Sequence, residues 1–192
     1  MVAAAMETER LTLSPPPSGE VEAFERSENG SGGGNAGRIV AIARTWIGTP
    51  YLHQASVKGV GADCLGLLRG VWRELYGAEP EIVPPYSPDW AEAAGDEALH
   101  HALSRHLREI PRDALAPGDV ALFRMVRRGP AKHCGIIALK QRSGSAYKDS
   151  LALEKGGQRT LIHARQNRAV SEEPFSPAWH AKLAFAFRIA RG

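Results

Sequence analysis

The chain changes its hydrophobic period once, at Pro117-Gly118-Asp119, and that change limits the folds open to it. Upstream, apolar residues recur at helical spacing; downstream, they alternate. Ile39, Ile42, Ala43 and Trp46 mark one face of a short helix over Arg38 to Ile47, which Gly48 ends. Leu67, Leu68, Val71 and Leu75 mark a second helix from about Asp63 to Tyr76, stopped by Gly77. Leu99, Leu103, Leu107 and Ile110 give the inward face of a third over Trp90 to Glu109, with Pro111 as its stop. Past the change, Val120 to Val126 and Lys132 to Leu139 read as strands joined by the turn Arg127-Arg128-Gly129-Pro130. Gln141 to Gln158 is polar and glycine-rich, a long hairpin loop. Thr160 to Arg165, Asn167 to Ser171 and Lys182 to Ile189 complete the set, the last with Leu183, Phe185 and Phe187 alternating. Helices first and an antiparallel sheet of about five strands afterwards describe an α+β domain.

Residues 1–37 stand apart from this pattern. Ser14-Pro15-Pro16-Pro17-Ser18-Gly19 and Glu28-Asn29-Gly30-Ser31-Gly32-Gly33-Gly34-Asn35 hold too little apolar surface to offset the entropy of ordering them. They are expected to form a flexible tail, with the folded domain over 38–192. The tail carries a net charge of −4 and the rest +7, a mildly basic body suited to solubility or to contact with a polyanionic envelope. No basic run with interleaved aromatics supports nucleic-acid binding. No apolar run approaches the ~18 residues of a membrane span. The first ten residues lack a basic segment and an apolar core, so a secretory signal is not expected and synthesis is expected to be cytoplasmic. Two cysteines far apart, Cys64 and Cys134, make neither a disulfide framework nor a zinc finger. No cofactor and no metal is expected.

The chemistry concentrates at Gly61-Ala62-Asp63-Cys64-Leu65-Gly66-Leu67-Leu68. Asp63 is a good N-cap, which puts Cys64 in the first helical turn. There, unpaired N–H groups and the helix dipole favour an anion, and a cysteine pKa can fall from ~8.5 to roughly 3.5–7.5. Cys64 reads equally as a small buried hydrophobe. Gly66 and Gly70 weaken the same helix by up to ~1 kcal/mol each, which a groove for a closely packed neighbour would explain. A cysteine nucleophile needs a base within reach and an orienting group behind it, and His133 and His163 are the candidates from the sheet. Strand parity sends His133 and Cys134 to opposite faces. If His133 faces the packed helix, Cys134 is a passive filler on the other side. Taken singly, each histidine reads as well as a half-buried sheet residue. Cys64, His133 and His163 as metal ligands lack the usual short ligand spacing.

Thr49-Pro50-Tyr51, Ala62-Asp63-Cys64-Leu65-Gly66-Leu67, Pro117-Gly118-Asp119-Val120-Ala121-Leu122-Phe123, Lys132-His133-Cys134-Gly135-Ile136-Ile137 and Leu161-Ile162-His163-Ala164 together closely resemble, in order, the motifs of the NlpC and p-sixty cysteine peptidases. The resemblance covers about residues 37–190. It implies a papain-like fold and hydrolysis of an amide bond in the stem peptides of bacterial peptidoglycan. It implies Cys64 as nucleophile, His133 as general base and acid, and His163 as the group orienting His133. Tyr51 would lie near the nucleophile and help the oxyanion site, and Asp63 would cap the helix and contact substrate. Leu65 departs from the serine common after the cysteine. With His53-Gln54 it looks most like the branch encoded with tail genes of phages and gene transfer agents, whose partners would be tail proteins and whose particle would carry the enzyme to the wall. A non-catalytic tail-assembly or wall-binding module, and a thiol acyltransferase, are the alternatives.

Overall fold

The computed structural model describes residues 33–87, 96–140 and 157–189. The expected tail up to residue 32, the first part of the expected third helix and most of the expected long hairpin loop lie outside them. Among the described residues the chain opens with helix α1 (Gly33–Arg44), a small hairpin of β1 (Ser56–Val57) and β2 (Gly61–Ala62), and helix α2 (Cys64–Tyr76). Helix α3 (Ala98–His106) and strand β3 (Arg108–Ile110) follow. Then come β4 (Val120–Arg124), β5 (Ala131–Leu139), β6 (Arg159–Arg165), β7 (Arg168–Pro174), the single turn α4 (Pro177–His180) and β8 (Leu183–Arg188). Six strands form one antiparallel sheet in the order β3-β8-β4-β5-β6-β7. The fold is the expected α+β arrangement of helices packed on an antiparallel sheet.

Three local differences from the sequence reading have physical causes. Helix α1 starts five residues earlier than the apolar face alone required, and Thr45 to Gly48 are turns. The third helix stops at His106, and Arg108–Ile110 pairs with Arg188–Ala186 as a sixth, edge strand. Leu99 and Leu103 therefore pack on the helix side of the sheet while Ile110 joins the opposite side. In β8 the alternation of Leu183, Phe185 and Phe187 breaks. The register shifts between Leu122↔Phe185 and Phe123↔Leu183, so Leu183 turns to the opposite face from the two phenylalanines.

The sheet is buried on both faces. Val120, Leu122, Ile136, Ile162 and Phe187 meet α1, α2 and α3. Ala121, Phe123, Ile137, Leu161 and Trp179 make a second, smaller core on the far side. Runs such as Val120–Phe123 are therefore apolar throughout, because both parities are covered. The Pro117-Gly118-Asp119 turn is fixed twice. Gly118 holds φ +85° with its Cα against Ala36, where a Cβ would come within 2.8 Å of Ala36 Cα. Asp119, 2 % exposed, takes two hydrogen bonds from the Arg188 guanidinium at 2.8 and 2.7 Å.

The glycines of α2 do provide a groove. A Cβ at Gly66 would lie 1.8 Å from the Ala55 carbonyl oxygen, and one at Gly70 would lie 2.0 Å from the Trp46 ring. Trp46 is itself held by a 2.7 Å bond from its indole N–H to Glu74. Gly70→Ala sets a propensity gain of about 1 kcal/mol against overpacking worth about 1–3 kcal/mol. We expect overpacking to win, and chemical denaturation to show a lower midpoint with an unchanged slope.

Candidate active site

Asp63 begins the site. Its backbone is extended (φ −96°, ψ −173°), and its Oδ1 accepts the Gly66 N–H at 2.7 Å, which starts α2 at Cys64. The other oxygen, Oδ2, accepts the Gln54 N–H at 2.7 Å and the Tyr86 hydroxyl at 2.6 Å, with His53 Nδ1 at 3.5 Å. Gln54 reaches it from a left-handed conformation, φ +63°. The Tyr86 carbonyl is in turn gripped by Gln54 Nε2 at 2.6 Å and lies 2.8 Å from His53 Nε2. Burial, then the bond to Asp63, holds the Tyr86 phenol well above its ordinary pKa, so it stays a donor. Sequence reading missed Tyr86. It sits in a proline-rich link, and no periodicity flags it.

Cys64 is half-buried at the first position of α2, and its sulfur lies 3.9 Å from the Lys132 carbonyl oxygen. The first-turn N–H groups of Cys64 and Leu65 have no partner within the helix. The Cys64 thiol is held well below its ordinary pKa. A hydrogen bond from the Cys134 thiol is the largest cause; burial opposes it, and the bond and charge of His133 and the Cys134 N–H add to the lowering. Tyr51, which bridges to Ala62, lies close enough to Asp63 and Cys64 that their negative charge, after burial, raises its own pKa.

The two histidines meet across 30 positions. His133 Nε2 lies 2.8 Å from His163 Nδ1, with both side chains nearly or fully buried. Gly135 makes this possible. A Cβ there would stand 2.7 Å from Leu161 Cδ1 and 3.0 Å from His163 Cβ. Trp179 stacks on His133 (5.6 Å, 26°) and meets His163 edge-on (5.0 Å, 83°). Glu173 Oε1 accepts the Trp179 indole N–H at 2.7 Å and lies 3.2 Å from His163 Nε2 without the alignment of a hydrogen bond. Burial first, then the charges of His133 and Arg165, push His163 down to about 3. A neutral His163 accepts the His133 Nε2–H on its Nδ1, which leaves His133 Nδ1 for the Cys64 sulfur.

Strand parity holds, and of the two neighbours it is Cys134 that faces the helix. Cys134 packs in the core under α2, with its sulfur 3.4 Å from the Cys64 carbonyl oxygen. His133 lies on the far side, against Phe123 and Trp179. Cys134 is therefore not a passive filler away from the helix. The imidazole reaches the site because the sheet opens there. The β5–β6 ladder runs only from Ile136↔Ile162 to Leu139↔Arg159, and Lys132 is an extra, bulged residue opposite β4. Cys64, His133 and His163 thus come together at the open end of the sheet, bordered by Tyr51 and Asp63. Leu65 turns instead toward an apolar cavity of about 410 Å³ between α2 and α3, with Leu68, Trp72 and Leu103. That accounts for an apolar residue after Cys64. Among the described residues, no group of three or more histidines, cysteines or carboxylates is placed to hold a metal ion.

Two measurements follow from these environments. Iodoacetamide should label Cys64 readily at pH 6, where an ordinary thiol is almost wholly protonated, and should leave the buried Cys134, whose pKa is raised, unlabelled. His163 binds a proton less readily folded than unfolded, so the unfolded state takes up more protons between the ordinary value of 6.5 and about 3. Stability is then expected to rise with pH across that window and to be lost as pH falls through it, and His163→Gln should flatten the slope in urea titrations.

No family model and no curated protein sequence matches the chain. Solved structures do. A protein of Staphylococcus aureus subsp. aureus Mu50 described as similar to a lipoprotein of the NLP/P60 family aligns with a TM-score of 0.51 at 17 % identity, over 88 % of this chain and 45 % of that one. The NlpC/p60 domain of the peptidoglycan hydrolase SagA gives 0.48 at 22 %, over 79 % and 97 %. NlpC2 from Trichomonas vaginalis gives 0.49 at 19 %, over 83 % and 48 %. The chain spans under half the length of the staphylococcal protein, and the likeness to that protein is one of fold.

Proposed function

We propose that this chain is a cysteine peptidase of the NlpC/P60 type that hydrolyses an amide bond in peptidoglycan stem peptides. The observation that carries the reading is the His133–His163 pair, 2.8 Å apart, beside the Cys64 sulfur at the start of α2, a thiol whose pKa is lowered by Cys134 and then by His133. The Cys64 thiolate attacks the amide carbonyl and forms the C–S bond. The developing oxyanion faces the first-turn N–H groups of α2, with Tyr51 beside it. Imidazolium His133 gives its Nδ1 proton to the leaving amine as the C–N bond breaks. Water, deprotonated by the same nitrogen, then cleaves the thioester and restores the thiolate. His163 keeps the His133 ring in one tautomer and plane throughout, and Asp63 fixes the helix start and borders the substrate.

Peptidoglycan as substrate is supported by the five ordered sequence motifs and by the fold of the NLP/P60 neighbour. Delivery by a phage-like tail rests on the Leu65 and His53-Gln54 resemblance. Among the described residues no helix is long and apolar enough to cross a membrane.

Mass analysis of muropeptides after incubation with purified peptidoglycan tests the reading. Cys64→Ala and His133→Ala are expected to lose activity by on the order of 10⁴-fold, and His163→Ala by on the order of 10²-fold or more, with unfolding midpoints near that of the parent. Undiminished cleavage by Cys64→Ala would overturn the mechanism.

A further inference from the structure

The second cysteine has no part in the reaction above, yet its position is specific. Cys134 is fully buried, and its thiol donates to the Cys64 carbonyl oxygen at 3.4 Å, so the two cysteines are in direct contact. Cys64 is half-buried, whereas Cys134 has no exposed surface. The chain holds no other cysteine. An oxidant entering from solvent therefore meets Cys64 before Cys134, whose sulfur lies against the Cys64 backbone.

We infer that Cys64 and Cys134 form an oxidisable pair, in which Cys134 is the resolving thiol that converts hydroperoxide-oxidised Cys64 into a reversible intramolecular disulfide. In the first step the Cys64 thiolate attacks a peroxide oxygen. The S–O bond forms, the O–O bond breaks, and hydroxide leaves, so Cys64 becomes a sulfenic acid while peroxide is reduced. In the second step the Cys134 sulfur attacks the sulfenic sulfur. The S–S bond forms and the S–O bond breaks. The oxygen departs as water with the Cys134 proton.

The electrostatics favour this order. In the resting site the interaction with Cys64, then burial, then the charges of Cys64 and Asp63 keep the Cys134 thiol well above its ordinary pKa. Once Cys64 is a neutral sulfenic acid, its charge no longer opposes ionisation of Cys134. Burial also favours the disulfide over deeper oxidation, because the sulfenic sulfur meets a thiol before it meets a second peroxide. Closing the pair needs the Cys134 sulfur to leave the Cys64 carbonyl and the two sulfurs to approach to about 2.05 Å, a side-chain rotation at the first turn of α2 and in β5. The disulfide withdraws the sulfur that the proposed hydrolysis uses, and reduction by a dithiol returns it.

The inference rests on the reactive Cys64 of the proposed function and not on its substrate, so the test reads sulfur chemistry alone. The full chain is treated with stoichiometric hydrogen peroxide and mapped by mass spectrometry. The expected result is loss of the mass of two hydrogen atoms, a proteolytic peptide joining Cys64 to Cys134, complete loss of iodoacetamide labelling, and full return of labelling with dithiothreitol. Cys134→Ala is expected instead to hold a dimedone-reactive sulfenic acid at Cys64, and then a sulfinic acid that dithiothreitol does not reverse. Sulfinic acid at Cys64 of the parent chain with no joined peptide would overturn the inference, and this parent map decides the matter even if Cys134→Ala fails to fold. A chain that forms the disulfide but releases no muropeptide would retain this inference and sink the proposed hydrolysis.

Discussion

A single buried carboxylate, that of Asp63, decides where helix α2 begins, and most of the site follows from that. A helix start is costly to leave uncapped, by about 1 kcal/mol, and sliding it by one residue would rotate Cys64 by about 100° around the axis. Asp63 prevents the slide by taking donors from three separate segments: Gly66 in the helix, Gln54 in the preceding loop and Tyr86 in the proline-rich link. All three are uncharged donors, two backbone N–H groups and a phenol. The loop, the link and the helix are tied at one point, and the nucleophile is the next residue in the chain.

The far half of the site depends on the sheet failing to be regular. A perfectly paired β5 and β6 would place two imidazoles side by side on one face and leave the helix on the other. The end of the ladder at Ile136, the bulged Lys132 and the bare Gly135 open a gap through which groups from both faces meet. One face supplies the His133–His163 pair under Trp179, and the other supplies Cys134 against the helix. The nucleophile sits where the two sides join.

Much of this was legible in the sequence, and the part that was not has a common cause. Helical and alternating periods placed α2, the β4–β5 hairpin and β6, because each buries a face against one neighbour. Asp63, Cys64, His133 and His163 were found because each is a chemistry-bearing residue at a helix start or in a strand. The sixth strand at Arg108–Ile110 was hidden because three residues are too few to show a period. The face of Leu183 was misread because a bulge breaks the two-residue rule locally, and nothing in the residues themselves announces a bulge; His133 and Cys134 do take opposite faces, but alternation alone does not say which of them meets the helix. Tyr86 and Trp179 were invisible for a different reason: they lie in segments without periodicity and matter through tertiary contacts, Tyr86 with Asp63 and Trp179 with His133 and His163.

The bulge at Lys132 has a consequence for how such a chain can change length. Residues on one strand exchange sides with every single insertion or deletion. Between His133 and the first β5–β6 pair at Ile136, one residue gained or lost would put a sulfur where the imidazole stands and an imidazole beneath the helix. The hairpin turn at Arg127–Pro130 carries no such penalty, because it lies beyond the last β4–β5 pair, Arg124↔Ala131. Drift in length is therefore tolerated on one side of Lys132 and barred on the other, a boundary drawn by pleat geometry alone.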